Sequence, residues 1–155
     1  MSRAFVKETD GDEAFEPLAD HPVSPHPNLV TPQGLALIDA ELASLRERQA
    51  SAQQAQDRAA LAQIARDTRY WAARRASSQV VSPPQNPVAV SFGSTVTIAR
   101  DDGRMQTWRI VGEDEADPPQ GTLSYVSPVA RALLNGKVGD VVRAGNSDAE
   151  IVAIA

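Results

Sequence analysis

A chain of 155 residues has room for one ordinary domain or two small ones, and an apolar content of 42% suits a globular core. With no cysteine and two histidines, a disulfide framework and a thiolate metal site are excluded and structural zinc is disfavoured. No apolar run approaches the roughly 18–20 residues of a membrane span, and Met1–Lys7 lacks the apolar stretch of a signal peptide, so the expectation is a cytoplasmic protein with no membrane partner and no cofactor.

The net charge of −5 is unevenly spread. Residues 1–30 carry net −4, residues 31–87 net +2 and residues 88–155 net −3. Free duplex-DNA binding relies on many phosphate contacts and fits this distribution poorly. A local basic face remains possible in the middle segment.

Residues 1–30 read as an acidic, disordered arm. Pro17, Pro22, Pro25 and Pro27 interrupt any helix, and acids cluster around them. An arm that orders on contact is the alternative. Thr31-Pro32 then opens a helix, with Thr as N-cap and Pro in the first helical position. Leu35, Ile38, Leu42 and Leu45 form one apolar stripe, and Leu61, Ile64, Thr68 and Trp71 form a second. Between them lies Gln53-Gln54-Ala55-Gln56-Asp57, where Asp57 can cap a new helix. No Gly or Pro marks a turn, so one unbroken helix is the alternative. A lone helix would leave its stripe without a partner, which favours a hairpin over residues 31–81.

Residues 82–87, Ser-Pro-Pro-Gln-Asn-Pro, are a linker. Beyond it short β-branched runs predict strands over Val88–Ile98, Thr107–Val111, Thr122–Val126, Val138–Arg143 and Glu150–Ile154. Asp101-Asp102-Gly103 signals a hairpin turn. Ser127-Pro128 caps a short helix through Val129, Ala130, Leu133 and Leu134. The expected fold class is α+β: an antiparallel helical hairpin followed by a small antiparallel sheet with one helix on it, in residues 88–155.

The chain contains no P-loop, GxGxxG or nucleophile elbow. Asp101-Asp102 reads as a turn rather than a catalytic pair. The run Glu113, Asp114, Glu115 and Asp117 reads by itself as a solvated loop. Arg66, Arg69, Arg74 and Arg75 follow the second helix, as ion pairs to the first or as contacts for RNA or phosphate. Trp71 sits at core spacing, and packing explains it better than a stacking platform.

Four stretches together are specific: Phe92-Gly93-Ser94-Thr95-Val96, Arg109 through Asp117, Ser127 through Leu134, and Gly139-Asp140-Val141-Val142. In order and spacing they resemble the C-terminal domain of the GreA/GreB transcription elongation factors, and the Thr31-Pro32-Gln33-Gly34 opening resembles that family's start. The resemblance implies an FKBP-like sheet and bacterial RNA polymerase as partner, met at the rim of its secondary channel. Docking would fall to Glu113, Asp114, Glu115, Asp117, Ser127, Pro128 and Arg131. The hairpin would enter the channel with Gln56, Asp57 and Arg58 at its tip, near nascent RNA, and the protein would act as a monomer.

In that family, tip acids hold a catalytic magnesium ion that helps the polymerase cleave backtracked RNA. The tip motif, Gly-Asp-Leu-x-Glu-Asn-Ala-Glu-Tyr, does not occur here. Aligned on Tyr70, Gln63 and Arg66 stand at the two acidic positions. Aligned on the turn, Asp57 stands alone and Ala60 replaces the second acid. The arms hold about 22 residues each, or ~33 Å, roughly ten residues and 15 Å shorter per arm than the family's usual hairpin. Both features resemble the Rnk-type relatives. The expectation is a polymerase-binding regulator that is not an enzyme, holds no metal and does not stimulate cleavage. The alternatives are a cleavage factor using Asp57 or Asp67, and an interaction protein that regulates a nucleotide kinase.

Overall fold

The structure, a computed structural model, describes residues 17–155. The first half of the expected arm lies outside the described residues. The second half is largely exposed to solvent but follows the surface of the hairpin. Residues 17–28 form an extended strap along the hairpin, because proline excludes helix but not an extended path. An ion pair from Asp20 to Arg69 at 2.5 Å and a hydrogen bond between His21 Nε2 and Asp67 at 2.8 Å pin the strap.

The strap ends in β1 (Leu29–Val30), which pairs in parallel with β2 (Gln79–Val80). Between those strands stand α1 (Pro32–Gln54) and α2 (Arg58–Ser77). Thr31 Oγ1 accepts from the Gly34 N–H at 3.0 Å and Pro32 sits in the first turn, so α1 starts where the sequence places it. Asp57 Oδ1 accepts from the Ala60 N–H at 3.0 Å and starts α2. The reversal between them needs a left-handed residue, and Gln56 supplies it at φ 52°. Glycine or asparagine usually stands in that place, which is why the turn carries no sequence mark. The two helices are a hairpin, not a rod.

The hairpin seam is thinner than the stripes suggest. Ile38 and Leu45 are each 1% exposed, and Ala52 and Ile64 are buried with them. Leu35, Leu42, Leu61 and Trp71 are only half-buried. Small side chains at the distal end let the helices approach, at the cost of little buried area.

The rest of the chain folds as a five-stranded sheet of order β5-β4-β3-β7-β6, comprising β3 (Thr95–Arg100), β4 (Met105–Val111), β5 (Thr122–Ser124), β6 (Val141–Ala144) and β7 (Ser147–Ile154). The helix α3 (Pro128–Leu133) follows β5. Val96, Ile98, Ile110, Ala130, Leu133 and Ile151 form the centre of its core. Two expectations need correction. The first strand starts at Thr95 rather than Val88, because Gly93 turns the chain at φ 84° and Ser94 Oγ ties back to Ser91. The sheet is also mixed: β5 runs parallel to β4, with Arg109 opposite Thr122. The connection from β4 to β5 is not a tight hairpin but two 3-10 turns, Glu113–Glu115 and Pro118–Gln120, which return the chain to Arg109, midway along β4.

Candidate functional site

The densest polar constellation lies where the hairpin root meets the sheet. Its centre is Arg74 on α2, 1% exposed. Its Nε donates to Asp114 Oδ2 at 2.6 Å and its Nη2 to Asn28 Oδ1 at 2.8 Å, with Glu113 Oε2 at 3.6 Å. Tyr70, one turn earlier on α2, donates its hydroxyl to the other oxygen of Asp114. Asn28 donates in turn to the Arg74 carbonyl at 2.7 Å and to Ser77 Oγ at 3.1 Å. Tyr125 of the sheet domain donates to the Pro27 carbonyl. Strap, hairpin and sheet are thus tied around one guanidinium.

A second tie stands beside it. Glu115 accepts from the Thr31 N–H at 3.0 Å, from Thr31 Oγ1, and from the Gly112 N–H at 3.4 Å. Thr31 therefore caps α1 and binds the sheet domain at once. The approach leaves no room for side chains. A Cβ on Gly34 would lie 2.0 Å from the Glu115 carboxylate, and one on Gly112 would lie 2.3 Å from the Leu29 carbonyl. The Thr31–Gly34 opening and the Gly112–Glu115 stretch are halves of one joint.

Glu113, Asp114 and Glu115 are therefore not the solvated loop that their sequence suggests. Asp114 and Glu115 accept hydrogen bonds from the hairpin root, whereas Glu113 Oε2 lies buried 3.6 Å from Arg74 Nη2 without a hydrogen bond. Asp117 is the exposed member of the run. Arg74 is withdrawn from any RNA or phosphate role by burial and pairing. The other arginines stay at the surface: Arg75 pairs with Asp39 across the hairpin at 2.6 Å, Arg69 with Asp20, and Arg66 with Asp67 at 3.4 Å. Ser127 Oγ accepts from the Ala130 N–H at 3.3 Å and opens α3, leaving Pro128 and Arg131 exposed. Sequence reasoning placed Thr31 only as a helix cap and missed the part that Thr31, Gly34, Asn28, Tyr70 and Tyr125 play in the joint. Gly34 held a usable signal: a glycine in the first turn of a helix, with no conformational need for one, marks a close approach.

Burial, the hydrogen bond to Asp114 and that carboxylate's charge push the Tyr70 phenol up to about 12. A raised pKa means that the fold favours the protonated phenol, so the contribution is complete below the ordinary value of about 10 and is lost as pH rises through about 12. Alkaline unfolding of the wild type is expected to steepen in that window. Tyr70→Phe is expected to flatten it, as followed by circular dichroism against pH.

At the far end the tip is Gln56, Asp57 and Arg58. Asp57 is its one carboxylate, and Oδ1 is already used as the cap of α2. Gln53, Gln56, Arg58 and Leu61 line the shallow cleft beside it. Magnesium prefers near-octahedral oxygen ligation anchored by carboxylates. One capping aspartate beside a guanidinium does not fit that need, and no step is assigned to a tip metal. The helices measure 23 and 20 residues, or about 34 and 30 Å.

The model of the family described as "Transcription elongation factor, GreA/GreB, C-term" matches residues 85–155. Transcription elongation factor GreA of Ruegeria pomeroyi is 31% identical over 148 residues, covering 81% of this chain and 95% of that protein. Transcription elongation factor GreB of Neisseria meningitidis serogroup B is 39% identical over 98 residues, covering 59% of this chain, and the match spans 60% of the length of that relative. Among solved structures, GreA factor homolog 1 of Thermus thermophilus is 20% identical, with a TM-score of 0.42, covering 84% of this chain and 99% of that one. Among the described residues no helix is long and apolar enough to cross a membrane. The match to nearly the whole of a GreA sequence, and the family model over the sheet domain, place this chain in the GreA/GreB family.

Proposed function

We propose that the chain binds bacterial RNA polymerase as a monomer at the rim of the secondary channel and regulates elongation without stimulating transcript cleavage. The observation that carries the second half is the tip, which holds a single carboxylate that caps α2 through Oδ1. The family relationship supports the first half, since the relatives are named transcription elongation factors. The exposed residues Asp117, Pro128 and Arg131, with half-buried Ser127, offer the docking surface, and the partly buried acids tie the hairpin to the sheet domain. Nascent RNA would be met only through residues near the tip, such as Arg58, and through Arg66, Arg69 and Arg75 on the flank of the hairpin.

The test uses purified core polymerase and a stalled, backtracked complex, with a cleaving Gre factor as positive control. The full chain is expected to bind core polymerase and to leave the RNA intact. Pro128→Glu puts a charge on an exposed helix start, so the fold should stand while polymerase affinity falls about tenfold, a loss of ~1.4 kcal/mol. Cleavage by the unmodified chain that Asp57→Asn abolishes would establish a cleavage factor instead. Absence of binding to the core enzyme would remove the polymerase reading altogether.

A further inference from the structure

Midway along the hairpin the strap crosses α2 and leaves a cleft of about 450 Å³, lined by His21, Pro22, Asp67, Tyr70 and Trp71. That size lies within the range of small-ligand sites. We propose that this cleft binds a guanine ring, carried either by a free guanine nucleotide or by RNA.

Three aromatic rings and a proline ring line an open cleft of mixed polar and apolar character. His21 and Tyr70 meet edge to face with centroids 5.9 Å apart, and Tyr70 and Trp71 at 5.1 Å. The Tyr70 hydroxyl is committed to Asp114, so its ring is held in place. Such surfaces accept a planar heteroaromatic ring by stacking.

Asp67 selects which ring. Both contacts to its carboxylate fall on Oδ1, from His21 Nε2 at 2.8 Å and Arg66 Nε at 3.4 Å. Oδ2 has no hydrogen-bond partner among the described residues, and the side chain is 29% exposed. Burial alone would raise the Asp67 carboxyl, but the hydrogen bonds from His21 and Arg66 hold it below the ordinary value. It is therefore an ionised group that only accepts. Guanine is the common base whose Watson–Crick edge presents two adjacent donors, N1–H and the 2-amino group. The Arg66 guanidinium beside the carboxylate disfavours an organic cation in the cleft.

The experiment follows the Trp71 indole N–H resonance by NMR in the full chain carrying Trp108→Phe, which leaves Trp71 as the single tryptophan. The probes are GMP, AMP, XMP and short RNAs with and without guanosine. GMP is expected to shift the resonance saturably, with AMP weaker by about tenfold, as loss of the N1–H donor to the charged Oδ2 implies. Asp67→Asn is expected to lose GMP by a similar factor and to gain XMP, whose 2-oxo group accepts from an amide. That exchange of preference would not follow from a merely structural aspartate. Tighter binding of guanosine-containing RNA than of GMP identifies RNA as the source, and the reverse identifies a free nucleotide. No saturable shift at millimolar nucleotide, equal response to GMP and AMP, or an unchanged preference in Asp67→Asn overturns the proposal.

Discussion

Arg74→Met is expected to be the most damaging single substitution in the joint, at about 3–5 kcal/mol by chemical denaturation. The methionine fills much of the arginine stem's volume, so lost packing is not the main term. The loss comes from Asp114 and Glu113, whose side chains are 11% and 20% exposed. They would be left as partly buried negative charge with no cation facing them. Asn28 would lose the donor to its Oδ1 at the same time. The double variant Arg74→Met/Asp114→Asn removes one of the stranded charges. It is expected to recover about 1–3 kcal/mol of the loss, which a double-mutant cycle would read as coupling. If the single and double variants lose equal stability, the charge argument fails and only packing remains. Polymerase affinity measured beside stability would show whether the angle of the hairpin matters: a folded variant with a loosened joint should bind more weakly although its exposed docking residues are untouched.

Leu45→Ala is expected to cost about 2–5 kcal/mol, and Ile38→Ala a similar amount, by the usual sum of lost transfer energy and residual cavity. Both side chains are 1% exposed, and Leu45 packs in the small cluster with Ala52 and Ile64. That cluster is small enough that the distal hairpin has little reserve. Leu42→Ala, at a half-buried position of the same stripe, should cost clearly less. Thermal melts of the three variants test the seam directly. Equal and small losses at all three positions would mean that the helices do not pack as described.

Which features could be read in the sequence follows from the range of the interactions involved. Caps and turns are local, and Thr31-Pro32, Asp57, Ser127-Pro128 and Asp101-Gly103 lie where their chemistry puts them. The helical stripes are local too, and they located the hairpin. The joint is not local. Thr31 and Glu115 are 84 positions apart, and Arg74 and Asp114 are 40 apart. No periodicity announces such pairs, so an acidic run that folds inward looks the same in sequence as a solvated one. The parallel placement of β5 was hidden for a related reason: Pro118, Pro119 and Gly121 mark a loop but not which strand it returns to. The order in the strap depends on Asp20 and His21 finding Arg69 and Asp67 across the molecule, while its proline content argued only against helix.

The two-residue parallel ladder at the hairpin root has a further consequence. Leu29–Val30 and Gln79–Val80 hold both ends of the intervening chain side by side, with Gln79 N–H donating to the Asn28 carbonyl at 2.8 Å and Val81 N–H to the Val30 carbonyl at 2.9 Å. The sheet domain therefore senses the hairpin only at its root and is indifferent to how far the helices project. Projection becomes a quantity that whole-heptad insertions, made equally in α1 and α2, can change by about 10 Å at a time without disturbing the joint. The root behaves as a socket, and hairpins of different reach, each with its own tip, become interchangeable parts on one docking body.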